Sequence, residues 1–173
     1  STLSNFLNTA ERIKNFAIIG PAIQNEKNLE NNHKILMEVE SVKGFAMFLN
    51  LEQFKGVGFF DDNFFIYLEE IDLCKRLKKS NKKIFVDPSI LINHQGGSSH
   101  ENQYDTEMEI SRNWHWMWSS FYFLKKHKGF LYALFMVSDK LISGLIKYIF
   151  YSLTLKNSKK LIYKARISGL FNS

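Results

Sequence analysis

Three carboxylates fall within four residues of one another in the stretch Phe60-Asp-Asp-Asn-Phe-Phe-Ile-Tyr-Leu-Glu-Glu-Ile-Asp-Leu-Cys-Lys-Arg76. Glu69, Glu70 and Asp72 come first, and Lys75, Arg76, Lys78 and Lys79 follow. The periodicity predicts a helix over Leu68–Lys79, with Asn81 supplying a left-handed end. Acids first and bases last also match the helix macrodipole, at about 0.3–1 kcal/mol per favourable charge. Asp72 and Arg76 form an i,i+4 pair.

The helical wheel separates the acids. At about 100° per residue, Glu69, Asp72 and Arg76 share one face, whereas Glu70 falls with Leu73, Cys74 and Leu77 on the apolar side. A carboxylate there is partly desolvated, which raises its pKa and suits a general base. Sugar transfer with inversion requires such a base, to take the proton from the attacking hydroxyl. Phe64, Phe65 and Tyr67 precede the acids. Such rings stack on sugar faces, and they equally serve as ordinary core. His94, at a strand end beside Gly96, Gly97 and Ser98, has the chemistry to ligate a metal or meet a phosphate, or to play a structural part. The same loop carries His100.

These residues need a layered scaffold. Leu3–Lys14 reads as a helix, with Leu3, Phe6, Leu7 and Ala10 on one face. Phe16–Ile19 reads as a buried strand closed by Gly20-Pro21, and Gln24–His33 as a polar loop. Ile35–Glu40 and the apolar part of Val42–Leu51 read as strands, Glu52–Lys55 as a helical turn, and Gly56–Asn63 as a loop. Lys83–Val86 reads as a short strand that Pro88 interrupts and Ile90–Asn93 resumes. His94–Asp105 is a loop, and from Thr106 onward the pattern is helical. The expected class is α/β: a mixed sheet with flanking helices over residues 1–105, and a helical, basic extension over 106–173.

Taken in order, Gly44-Phe-Ala-Met47, Glu52-Gln-Phe54, Gly58-Phe-Phe-Asp61, Phe65-Ile-Tyr67-Leu-Glu69-Glu70-Ile-Asp72-Leu-Cys-Lys-Arg76 and His94-Gln-Gly-Gly-Ser98 resemble family 2 glycosyltransferases of the rhamnosyltransferase type. The likeness is strongest over residues 39–100. It implies part of an A-type glycosyltransferase fold, specifically the acceptor side. It also implies transfer of a sugar, rhamnose among the candidates, from a dTDP- or UDP-sugar to a glycan or lipid-linked acceptor, as in cell-surface polysaccharide synthesis. By position, Glu70 takes the family's catalytic base, where the family usually has Asp. Glu69 and Asp72 stand beside it, and Gly44, Asp61, Phe65 and Tyr67 fall at substrate-binding positions. His94 falls near the metal and diphosphate. The family often has Gly-Gly where this chain has Gly58-Phe59, and a Phe restricts that turn. The resemblance implies a divalent metal, Mg or Mn. The family's Asp-x-Asp metal motif and nucleotide pocket are expected in a half that precedes these residues, so the isolated chain is expected to be inactive. The competing expectation is a non-catalytic remnant, or a module that binds a partner or membrane.

Composition sets the remaining limits. Hydrophobic residues make up 45% and aromatics 15% of 173 residues, enough for a substantial core. One cysteine, Cys74, excludes an internal disulfide and fits a cytoplasmic setting. Ser1–Ala10 lacks the basic flank and apolar run of a signal peptide. The net charge of +6 is divided unevenly: residues 1–110 carry 12 bases and 16 acids, whereas 111–173 carry 11 bases and the single acid Asp139. That basic tail also holds Trp114, Trp116 and Trp118. It suggests peripheral attachment to the anionic inner face of the cell membrane, with packing on the body as the alternative. Asp139, Lys140 and Lys147 interrupt the apolar run, so a spanning helix is not expected. Nucleic acid is not an expected partner, because no recognised module is present.

Overall fold

The computed structural model describes residues 1–23, 35–93 and 104–173. The expected loop over Gln24–His33, and both His94 and His100, lie outside the described residues. The chain forms two compact units. The first takes in the described residues of Ser1–Asp62 and Glu69–Gly96, and the second those of Asn63–Leu68 and Gly97–Ser173.

The first unit is α/β. Helix α1 (Thr2–Ile13) is followed by β1 (Ile18–Ile23), β2 (Met37–Glu38), β3 (Phe48–Leu49) and a 3-10 turn (Leu51–Phe54). Helix α2 (Glu69–Lys79) and β4 (Ile84–Ile92) complete it. The sheet order is β2-β4-β1-β3, with β1 parallel to β4 and the two outer strands antiparallel to their neighbours. Strand β1 is buried on both faces, which is why Ala17-Ile18-Ile19 is apolar without alternation. Ile18 and Ile84 pack with Leu73, Cys74 and Leu77 of α2. Ile19, one residue on, packs with Phe6 of α1 and with Phe16 and Ile90.

Two sequence expectations are corrected here. Gly20-Pro21 does not close β1; the strand runs through it to Ile23. Pro21 is tolerated because it lies past Ile19, the last residue paired with β3, and at a register shift, positions where a missing N–H does least harm. Gly20 is required by packing, since a Cβ there would come within 2.7 Å of Val42. Nor does Pro88 split its strand in two. Pro21 pairs with Asp87 and Ala22 with Leu91, so Pro88, Ser89 and Ile90 bulge out of one continuous β4. Asp87 holds that bulge: its Oδ1 accepts from the Ser89 N–H at 2.8 Å and from the Ser89 hydroxyl at 2.6 Å, and its Oδ2 accepts from Thr9 of α1. Burial pushes the Asp87 carboxyl up, but the hydrogen bonds from Ser89 and Thr9 outweigh it and hold it below the ordinary range.

The second unit is helical: α3 (Asp105–Lys128), α4 (Phe130–Leu153) and α5 (Asn157–Phe171), joined by Asn63–Leu68. Gly129, at φ 91°, makes the break between α3 and α4. Met117, Phe121, Ala133, Val137 and Leu170 form the core. The Trp114 indole donates to Ser168 Oγ at 3.3 Å and the Trp118 indole to Asn172 O at 3.0 Å, so both tie α3 to the α5 end. Ser119 Oγ donates to Ile66 O at 2.8 Å, and the buried Phe64 meets Tyr122 edge-on at 4.9 Å.

Gly169 lets α5 approach α3, because a Cβ there would sit 2.4 Å from the Trp114 carbonyl oxygen. Gly169→Ala is therefore expected to destabilise the helical unit by about 1–3 kcal/mol, the usual cost of overpacking. All three tryptophans lie in α3, so tryptophan fluorescence during urea unfolding reads this unit. An unfolding curve superimposable on wild type would contradict the packing described.

Candidate functional site

The chain enters α2 through two consecutive left-handed residues, Tyr67 at φ 72° and Leu68 at φ 68°. Neither is glycine, and such conformations cost about 1–3 kcal/mol each. They deliver the chain directly into Glu69 and Glu70, the first residues of the helix. Strain of this kind concentrates where a site must be presented in one geometry.

Glu70 is half-buried. Burial pushes its carboxyl up from the ordinary range; its own backbone N–H and that of Ile71 pull it down, and the neighbouring Glu69 charge pushes it up again. The net direction is upward. The carboxylate thus sits over the free N–H groups of a helix start, where anions are favoured, yet desolvation prevails. The bare Cα of Gly44 lies against it: a Cβ on Gly44 would stand 3.5 Å from Glu70 Cβ and 3.6 Å from its Cδ. Two motif residues separated by 26 positions in the chain are therefore brought together. Residues Gly44–Met47, expected within a strand, instead form a turn, and only Phe48–Leu49 pairs as β3. That turn is what presents Gly44 to Glu70.

Glu69 carries the second signal. Its Oε2 is buried and has no hydrogen-bond partner among the described residues. A buried carboxylate oxygen without a donor is costly and uncommon.

Asp72 occupies a different setting from the one its wheel position suggests. It is fully buried, and its Oδ2 accepts from Arg76 Nε at 2.8 Å. The Arg76 guanidinium also donates to Val57 O at 2.9 Å, to Gly58 O at 3.3 Å and to Phe59 O. The loop backbone therefore covers the face that carries Asp72 and Arg76. The pair staples the Val57–Phe59 loop to α2, a positioning role that sequence reasoning missed; backbone carbonyl acceptors leave no trace in residue types. Gly56 and Gly58, both at φ 80°, make the turns of that loop. Phe59 needs no left-handed conformation and stacks on Phe54 at 5.1 Å. Asp61, at the end of this loop, is half-buried.

Phe65 and Tyr67 group with the helical unit. Phe65 is 80% exposed and leans on His115 at 4.8 Å. Tyr67 meets Trp116 edge-on at 5.5 Å and lines a shallow recess with Arg112, Asn113 and Trp116; of these the sequence singled out Trp116, as an interfacial aromatic, and neither Arg112 nor Asn113. Burial lowers the His115 pKa.

His94 is outside the described residues. Among the described residues, no group of three or more His, Cys, Asp or Glu is placed to hold a metal ion. Likewise, no helix among the described residues is long and apolar enough to cross a membrane. Compared with protein-family models, with curated proteins and with solved structures, the chain has no match.

Proposed function

We propose that this chain is the acceptor-side portion of an inverting glycosyltransferase of the family 2, rhamnosyltransferase-like kind, and that Glu70 is its general base. The observation that carries the reading is the Glu70 carboxyl, raised by burial and seated against the bare Cα of Gly44. Both positions belong to the motif set whose order resembles that family. The partnerless buried oxygen of Glu69 beside it supports a hydroxyl-bearing ligand.

In this reading Glu70 removes the proton from an acceptor hydroxyl. The hydroxyl oxygen then bonds to the anomeric carbon as the bond to the nucleoside diphosphate breaks, and the configuration inverts. A carboxyl pKa raised toward the working pH balances the deprotonated fraction against basicity. A divalent metal would be held mainly by acids outside this chain, with His94 near it, and would neutralise the diphosphate of a dTDP- or UDP-sugar.

The test is reconstitution. With a nucleotide-binding half supplied, the chain is expected to transfer sugar from one of a panel of dTDP- and UDP-sugars. By itself, titrated calorimetrically with the same panel and Mg²⁺ or Mn²⁺, it is expected to show no tight binding. Micromolar binding by residues 1–173 alone would overturn the division of labour proposed.

A further inference from the structure

Helix α4 is apolar nearly all round, but only one face of it is used by the fold. Ala133, Val137 and Gly144 are buried in the helical unit. On the opposite side Leu131, Phe135, Ile142, Ile146, Ile149 and Leu153 are 80%, 76%, 58%, 62%, 57% and 79% exposed. Their spacing of three, four and seven residues places all six on one stripe. From Leu131 to Leu153 the stripe is about 33 Å long at 1.5 Å rise per residue. A contiguous apolar face of that size is unusual on a protein surface and marks a docking site.

We infer that this stripe is a membrane-docking face, on which α4 lies flat in the interface of an anionic bilayer. Charge selects the occupant. Residues 111–173 hold eleven bases and one acid, and the stripe is bracketed by Lys125, Lys126 and Lys128 before it and by Lys156, Lys159 and Lys160 after it. Basic clusters at both ends suit a helix parallel to the surface, with its flanks among anionic headgroups. The same charge opposes a second copy, since pairing two stripes would bring two strongly basic units together. Local chemistry agrees with an apolar surrounding. The hydroxyls of Ser138, Ser152 and Thr154 each donate to a backbone carbonyl of their own helix, of Phe135, Tyr148 and Phe150, and so need no water. Asp139, the one acid, lies at the edge of the stripe by helical geometry. The tryptophans, by contrast, are not the anchor. Trp114 and Trp118 spend their indole N–H groups inside the helical unit, and Trp116 packs on Tyr67. This inference stands apart from the sugar-transfer reading.

The experiment is co-sedimentation of the full chain with vesicles of phosphatidylcholine and phosphatidylglycerol, against phosphatidylcholine alone. The wild-type chain is expected to prefer the anionic vesicles, with part of the binding removed by salt. Phe135→Ser with Ile146→Ser is expected to weaken partitioning about 10²-fold, from the apolar area withdrawn, with an unchanged melting curve because both side chains are exposed. Leu131→Ser with Leu153→Ser, at the two ends, is expected to act alike and guards against an accident of folding in the first variant. Lys128→Glu with Lys156→Glu is expected to erase the preference for anionic lipid. The proposal is overturned if both apolar variants sediment like wild type, or if wild type ignores both vesicle types. It is equally overturned if the chain dimerises without lipid through a contact that Phe135→Ser and Ile146→Ser dissolve.

Discussion

Glu70→Gln is expected to lower sugar transfer about 10²–10⁴-fold in the reconstituted enzyme, the usual worth of a general base. Affinity for the nucleotide sugar should hardly change, because the amide keeps the shape and removes only the proton acceptor. The same substitution is expected to stabilise the fold at neutral pH. Glu70 has a folded-state pKa above its unfolded value. Its protonated form therefore favours folding below the ordinary glutamate pKa, and that contribution is lost as pH rises through the folded value. At neutral pH the ionised carboxyl is a burden on the fold, and the amide relieves it. A variant less active and more stable than wild type separates a functional carboxylate from a structural one. Near-normal turnover, or lower stability at neutral pH with activity retained, would remove Glu70 from the role of base.

Arg76→Ala is expected to cost about 3 kcal/mol, near the lower end of what breaking a buried ion pair costs. Asp72 is fully buried and the Arg76 side chain only 19% exposed, so little solvent screens the pair. The substitution also removes the donor to the part-buried Val57 carbonyl and to the exposed carbonyls of Gly58 and Phe59. Set against a typical domain stability of about 5–15 kcal/mol, this is a large fraction. Arg76→Lys should rescue little, because an ammonium cannot reach the carboxylate and the diverging carbonyls with one planar fork. Urea unfolding followed by far-UV circular dichroism reads the loss. A change below about 0.5 kcal/mol, the range of ordinary surface substitutions, would mean that the staple is idle.

The elements that show a period were legible in the sequence: α1, α2 with its left-handed Asn81 at φ 58°, the apolar centre of β1, and the helical tail. What escaped was set by partners distant in sequence. Gly20-Pro21 reads as a terminator, yet a proline just past the end of β3 pairing costs the sheet little. Pro88 reads as a break, yet Asp87 gathers the bulge around it and keeps one strand. Gly44 reads as part of a strand, and only the fold shows its bare Cα against Glu70. The wheel sets Asp72 with Glu69 and Arg76, apart from the apolar side, because it counts side chains; Asp72 is nonetheless fully buried, and Arg76 beside it binds the backbone of Val57–Phe59. Trp114 and Trp118 read as interfacial by type; inside the helical unit their N–H groups find acceptors on α5 and at its end. Of the expected site residues, Glu69 and Glu70 lie in the first turn of α2, as the periodicity predicts.

The pH dependence of sugar transfer by wild type and Glu70→Gln, compared side by side, tests the central claim most directly. Wild-type turnover is expected to fall as pH drops through a single ionisation above the ordinary glutamate range, because protonation of the buried carboxyl removes the base. The residual rate of Glu70→Gln is expected to lack that acid limb. An acid limb at the same pH in the variant would assign the essential ionisation to another group and contradict the account.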